Sequence, residues 1–329
     1  MNRIVLSTTL TLAAFTPCAV RGQDSPGNPN RFSFGPSIGL NFKADFNNNA
    51  VNPGPATSGA NHTYNDGYVL VDSSGNAGGL TTYWGYQNAS QVSGVAMNFH
   101  AIQSGPASVT GDPQYGAEFL YQRVIGSLPE GEAGGVWGLE AGLGFTELKL
   151  RQNFGGIVPV TQDAYQINGL PPNSGYNGTF AGPGNLLGDT PTRSSTSATL
   201  TGYQKLSGQL FSLRIGPFAE WKFTDKFSLA ASVGLTLAPA MVDYDFSETA
   251  VLAGGGSTLV SSGHSSKTKL LYGPYVGAML NYDFNKCWGV YVGARFQNLT
   301  DLNQSAGGRT ARLDPSVTFF VTAGLSWKF

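Results

Sequence analysis

Three histidines, His62, His100 and His264, are the side chains best suited to moving protons near neutral pH in this chain of 329 residues. His264 stands among Ser262, Ser265 and Ser266, a grouping that could supply a nucleophile and its base. His62 and His264 fall in polar, Gly- and Ser-rich stretches where serines are ordinary. The grouping is therefore read first as solvated surface, and only as a minor reading as a hydrolase of lipid or peptide, which His264→Ala or His62→Ala would abolish. Gly35-Pro36-Ser37-Ile38-Gly39 matches a hydrolase nucleophile pattern. That pattern needs a sharp strand-to-helix turn to expose its Ser, and no helical pattern follows here. Asp72-Ser73-Ser74-Gly75-Asn76 is rich in oxygen ligands but lacks the spacing and terminal Glu of a calcium loop, so it is read as a turn. No Cys/His spacing suits zinc. No cofactor, metal or covalent chemistry is expected.

A second set of polar side chains has a different character. Lys43, Asp45, Glu118, Glu140, Arg214, Glu220, Lys222 and Arg295 carry both signs of charge and fall on the polar parity of otherwise apolar alternating segments. If they share an interior, they either pair into a plug of ion pairs or line a narrow aqueous path that biases which ions pass. Pairing of Glu118 and Glu140 with Arg214 and Arg295 is the favoured arrangement.

The elements that would carry these residues are strands. From Val317 the odd positions run Val317, Phe319, Val321, Ala323, Leu325, Trp327, Phe329, against Thr318, Phe320, Thr322, Gly324, Ser326, Lys328. The same alternation runs from Phe32 to Phe46, from Phe227 to Ala238 and from Trp288 to Gln297. Aromatic residues of the apolar parity (Trp137, Trp221, Phe223, Phe227, Tyr282, Phe284, Trp288, Trp327, Phe329) lie beside short connections or the chain end, as an interfacial belt requires. Composition agrees: 12% charged residues and 45 Gly depart from soluble averages, and a formal net charge of -1 with no basic cluster argues against a nucleic-acid partner. Met1-Asn2-Arg3, the apolar run Ile4 to Val20 and the polar residues after it form a secretory signal, expected to span 1–22 and leave 23–329 as one barrel domain.

Backbone groups inside a bilayer must all be paired, so strands that cross one must close into a barrel. The expected fold is an all-β, transmembrane, antiparallel up-and-down barrel. Strands are expected near 32–46, 80–87, 93–104, 115–125, 136–152, 206–223, 226–246, 268–284, 287–299 and 315–329. That gives about ten, with eight or twelve still open. Thr224-Asp225-Lys226 and Asn285-Lys286-Cys287 are short turns, with a third near 127–135. The stretches 47–79, 153–205, 247–267 and 300–314 are read as long, solvated outer loops.

The signal, the alternating strands, the aromatic belt and the closing Trp327-Lys328-Phe329 resemble the small outer-membrane barrels of Gram-negative bacteria, porin-like or of the OmpA type without a periplasmic domain. The resemblance implies an outer-membrane location, contact with outer-membrane lipid and lipopolysaccharide, and a monomer. It also implies that Trp327 and Phe329 form part of the signal read by the barrel-assembly machinery. The leading expected role is structural, or porin-like passage of small solutes. The alternative is a surface recognition or adhesion barrel with a sealed lumen that acts through its outer loops.

Overall fold

The computed structural model describes residues 30–48, 51–71, 79–102, 105–111, 113–128, 135–169, 186–253 and 258–329. The expected signal 1–22 and the stretch Asp72 to Asn76 lie outside them.

Eight strands close a ring: β1 (Asn30–Leu40), β2 (Gln114–Ser127), β3 (Gly135–Gln166), β4 (Thr192–Lys222), β5 (Phe227–Leu252), β6 (Thr258–Asp283), β7 (Trp288–Gln297) and β8 (Thr318–Lys328). Each pairs antiparallel with its neighbours, β1 with both β2 and β8, and β2 with β3, so no edge is left in the ring. The ring thus takes the lowest of the three counts left open by the sequence. The expected strands 80–87 and 93–104 correspond to Leu80–Thr81, Trp84–Tyr86, Val92–Ser93 and Ala96–Ile102, which lie outside the wall in a cap described below; 103–104 fall outside the described residues.

The ends of the ring follow from local chemistry. At 223–226 the Thr224 hydroxyl accepts from the backbone N–H groups of Lys226 and Phe227, and at 284–287 the Asn285 side chain does the same for Cys287 and Trp288. Such side-chain-closed turns reverse the chain in few residues. The first and last strands meet at this same end, where Asn30 and Phe329 exchange backbone hydrogen bonds.

At the opposite end the wall changes character. On β5 the even positions point inward throughout: Ser228, Ala230 and Thr236 first, then Ala238, Ala240, Val242, Tyr244, Phe246, Glu248, Ala250 and Leu252, all buried, with Glu248 paired to Arg309. The odd positions run the other way: Phe227, Val233, Leu235, Leu237 and Met241 are exposed and apolar, and Asp243, Asp245, Ser247 and Thr249 follow. The lower part of the strand is therefore mainly polar inside and apolar outside, and the upper part mainly the reverse, the Glu248–Arg309 pair and the exposed Val251 apart.

β3 to β6 pass through this level unbroken, whereas the other four strands break there. Beyond β1, Asn41 adopts φ 63° and its amide donates to the Val317 carbonyl at 2.6 Å. Asn is among the few residues that tolerate this conformation. Inward parity switches from odd (Ser33, Ser37, Gly39) to even (Phe42, Ala44, Phe46) across it. Parity switches likewise between Gln297 and Leu302 and between Leu313 and Thr318.

The continuations form a separate four-stranded sheet in the order Leu302–Ala306, Arg309–Asp314, Lys43–Asn48, Ala107–Thr110. It faces the upper halves of β3 to β6 across an apolar core that includes Phe42, Phe46, Leu148, Leu150, Leu206 and Tyr244. Side chains bridge the two seams. Gln114 bonds both the N–H and the carbonyl of Lys149, and the amines of Lys267 and Lys269 donate to the carbonyls of Asn303 and Asp301 at 2.6 Å. The barrel has opened into a two-sheet sandwich.

Above the sandwich, Ala96–Ile102 pairs with the far end of β3 and joins a three-stranded sheet of His62–Tyr64, Gly67–Val69 and Trp84–Tyr86 over an aromatic cluster. The stretches read as loops are thus strand over much of their described length.

Candidate functional site

The interior of the ring holds two linked polar clusters beside an apolar one of Leu120, Ala230, Met279 and Tyr291. Near the turn end, Arg31 of β1 makes a bidentate pair with Glu220 of β4 at 2.8 and 2.9 Å, and Glu220 also accepts from Ser228 at 2.5 Å. A planar guanidinium matches a carboxylate in this way where a lysine could not. Higher up, Glu118 of β2 accepts a fork of hydrogen bonds from Arg214 of β4 at 2.6 and 2.8 Å and a further one from Arg295 of β7. Glu140 of β3 accepts from Gln122 at 3.1 Å and from the Tyr275 hydroxyl at 2.9 Å, and lies 3.8 Å from the Arg214 Nε.

Small residues make room for these side chains. A Cβ at Gly142 would stand 2.7 Å from Arg214 Nε, and one at Gly234 would stand 2.8 Å from the Tyr275 ring. Among them lies a cavity of about 30 Å³ lined by Glu118, Gln122, Glu140, Arg214, Arg295 and Thr322, among others, enough for a water or two. Arg295 lies over the Phe320 ring at 4.6 Å, and Phe320 meets Phe42 edge to face in the sandwich core. Above the ion pairs, then, the interior turns to apolar packing.

Of the charges expected inside, Glu118, Glu140, Arg214, Glu220 and Arg295 are buried there. Lys222 is not: it is exposed at the rim, where β4 runs out into its turn. Lys43 and Asp45 are not inside either. The parity switch at Asn41 turns them outward on the upper sheet, where Asp45 accepts from Ser108 at 2.6 Å and Lys43 stands opposite Asp314. Arg31, Gln122 and Tyr275 belong to the interior but were not among the expected residues. Arg31 shares the parity of Ser33 and directly precedes the alternating run, which was the available signal. Trp327 and Phe329 face outward, partly exposed, and stack on each other at 4.7 Å, with Trp288 6.2 Å from Trp327.

The three histidines separate. His62 is fully buried in the cap with its Nδ1 2.6 Å from the Pro53 carbonyl, and His100 pairs with Asp66 at 2.7 Å, also buried. In the same cap the Tyr64 hydroxyl donates to Asp163 at 2.7 Å, while Arg193 clamps that carboxylate at 2.6 and 2.7 Å. Burial, with the neighbouring Tyr165 and Asp163, raises the Tyr64 phenol far above its ordinary range.

His264 stands instead on the open outer face of β6. Its Nδ1 is 2.7 Å from Asp245 Oδ1 and its Nε2 is 3.2 Å from Ser266 Oγ, while that hydroxyl also donates to Asp243 at 2.5 Å. Register sets this arrangement, because Asp245 lies directly across from His264 and Asp243 directly across from Ser266.

No family model and no curated protein matches the chain. Among solved structures it is similar to the outer membrane protein OprG of Pseudomonas aeruginosa, with 9% identity, TM-score 0.36, 92% of this chain and 96% of that one covered. It is also similar to Ail, the attachment invasion locus protein of Yersinia pestis, with 10% identity, TM-score 0.29 and coverages of 92% and 99%. A third similar structure is the outer membrane protease OmpT of Escherichia coli, with 14% identity, TM-score 0.32 and coverages of 93% and 98%. This chain's own ring of eight strands is a closed antiparallel β-barrel.

Proposed function

We propose that this protein is an outer-membrane barrel with a sealed lumen, which holds its sandwich and cap at the cell surface and acts from there rather than as a channel. The observation that carries the reading is the interior network joining Arg31 to Glu220 and Glu118 to Arg214 and Arg295, with apolar packing above it. An eight-stranded barrel has an interior just wide enough for side chains to fill.

The outer surface supports the membrane setting. Exposed aromatics stand at both ends of an apolar band, Trp137, Phe227, Phe284, Trp327 and Phe329 at the turn end and Tyr115, Phe145, Phe211, Tyr272 and Phe319 at the other, with Phe34 and Phe119 among the aliphatic residues between them. Along β5 the apolar outward run from Phe227 to Leu237 covers roughly 25 Å of membrane thickness at the usual strand rise and tilt. That is the height of an outer-membrane band.

The test is current through a planar bilayer holding the refolded chain of residues 23 to 329, with insertion checked by heat-dependent migration on a denaturing gel. The expected result is a heat-shifted, inserted protein that passes no stable current. Stable conductance steps whose ion selectivity moves with Arg295→Ala or Glu140→Ala would overturn the sealed reading in favour of porin-like passage.

A further inference from the structure

We infer that Ser266, His264 and Asp245 form a hydrolytic site for the acyl esters of phosphate-bearing lipids. The inference rests on the membrane setting proposed above. The three side chains have the connectivity that activates a serine: carboxylate to Nδ1 at 2.7 Å, and Nε2 to hydroxyl at 3.2 Å. All three lie on the outer face, and the His264 side chain is 61% exposed, so a substrate can reach it from the side of the barrel.

Height selects the substrate. Descending β6 and β5 on the outer face, the Asp243–Ser266 pair is followed by Met241–Thr268, Pro239–Leu270 and Leu237–Tyr272. Ser266 therefore stands about 9 Å above Leu270 at ordinary strand rise and tilt, in the headgroup layer that borders the apolar band.

The neighbouring strands supply cations at the same level. The row containing Asp245 and His264 continues through Lys205 to Arg151, and the row containing Asp243 and Ser266 continues through Ser207 to Lys149, which pairs with Glu147 at 2.7 Å and leaves Arg151 and Lys205 as the cations the site would use. Arg151 and Lys205 are direct cross-strand partners, and Arg151 is held over the Tyr203 ring at 4.3 Å. Like charges placed opposite each other repel; Asp245, across from Lys205 on its other side, offsets part of that repulsion, and a bound phosphate would offset more.

In the reaction, Ser266 Oγ attacks the ester carbonyl carbon while its proton passes to His264 Nε2. This requires the hydroxyl to turn from Asp243 toward the imidazole. Asp245 keeps the Nδ1 proton and stabilises the imidazolium. Collapse of the tetrahedral intermediate breaks the acyl C–O bond, and the departing alkoxide takes the Nε2 proton. Water then attacks the acyl-serine, again giving its proton to Nε2, and fatty acid leaves as Ser266 regains its hydrogen. Ester and water go to acid and alcohol, with no other reactant.

The test uses the full refolded protein in mixed micelles, with two readouts. One is covalent labelling by a fluorophosphonate, mapped by mass spectrometry. The other is fatty-acid release from phosphatidylglycerol and, separately, from lipopolysaccharide. Labelling at Ser266 is expected, lost in Ser266→Ala and His264→Ala. Release from at least one lipid is expected to fall at least 100-fold in those variants and in Asp245→Asn, and to stay within about twofold in Ser262→Ala. The lipid that is cleaved tells a glycerophospholipid source from a lipopolysaccharide source. Labelling that survives Ser266→Ala, or no release from either lipid by protein shown to be inserted and heat-shifted, would overturn the inference. A chain that neither inserts nor shifts on heating would instead overturn the membrane reading beneath it.

Discussion

The lower ring and the upper sandwich are built from the same strands with opposite sidedness. Below the break, β5 turns Ser228 and Thr236 inward and Val233 and Leu235 outward; above it, Tyr244 and Phe246 turn inward and Asp243 and Asp245 outward. Backbone geometry is the same in both halves, so the difference lies in what surrounds them. Against hydrocarbon, the outside must be apolar and the inside can hold charge only if that charge is paired. Against water, apolar area is driven to the centre. A strand that crosses from one medium to the other has to exchange the roles of its two faces.

Substitutions matched between the halves test this comparison. The largest effect is expected from Glu118→Ala, which leaves Arg214 and Arg295 without their shared carboxylate in the ring and should destabilise it by about 3–5 kcal/mol in urea-unfolding midpoints. Leu148→Ala, in the sandwich core, should cost about 3 kcal/mol through lost burial and a cavity. The outer faces give the sharpest contrast. Val233→Arg, on the apolar band of β5, should cost roughly 2 kcal/mol or more, whereas Ser247→Arg on the same face of the same strand should change stability by less than about 0.5 kcal/mol. Equal costs at Val233 and Ser247 would mean that the two halves share one environment.

Much of the ring was legible because its walls obey a period of two under a strong constraint. Lipid forbids exposed charge, so Val317 to Phe329 and Phe227 to Ala238 announce themselves. The sandwich was harder to read. Thr192 to Thr201 is dense in Ser and Thr and resembles a loop in composition, yet Ala198 and Leu200 supply a buried face and Thr suits a pleated surface. The exposed face of such a strand is free to be as polar as any loop. Lys43 and Asp45 were misplaced because alternation was carried through Asn41, and a single residue of positive φ reverses which face the following residues occupy. The His264–Ser266 spacing could be seen in the chain. Its acidic partner could not, because Asp245 joins it through strand register.

The level at which β1, β7 and β8 leave the ring is also the level at which β5 exchanges its faces. The barrel therefore carries a fixed draught, like a hull whose waterline is cut into its planks. It cannot take up a thicker or thinner bilayer by sliding, since Met241 and Asp243 sit next to each other in outward parity across that line. Any mismatch in thickness has to be absorbed by the surrounding lipid, which thins or thickens at a modest free-energy cost per ångström. The same fixed line sets the height at which Ser266 meets whatever lies at the membrane surface.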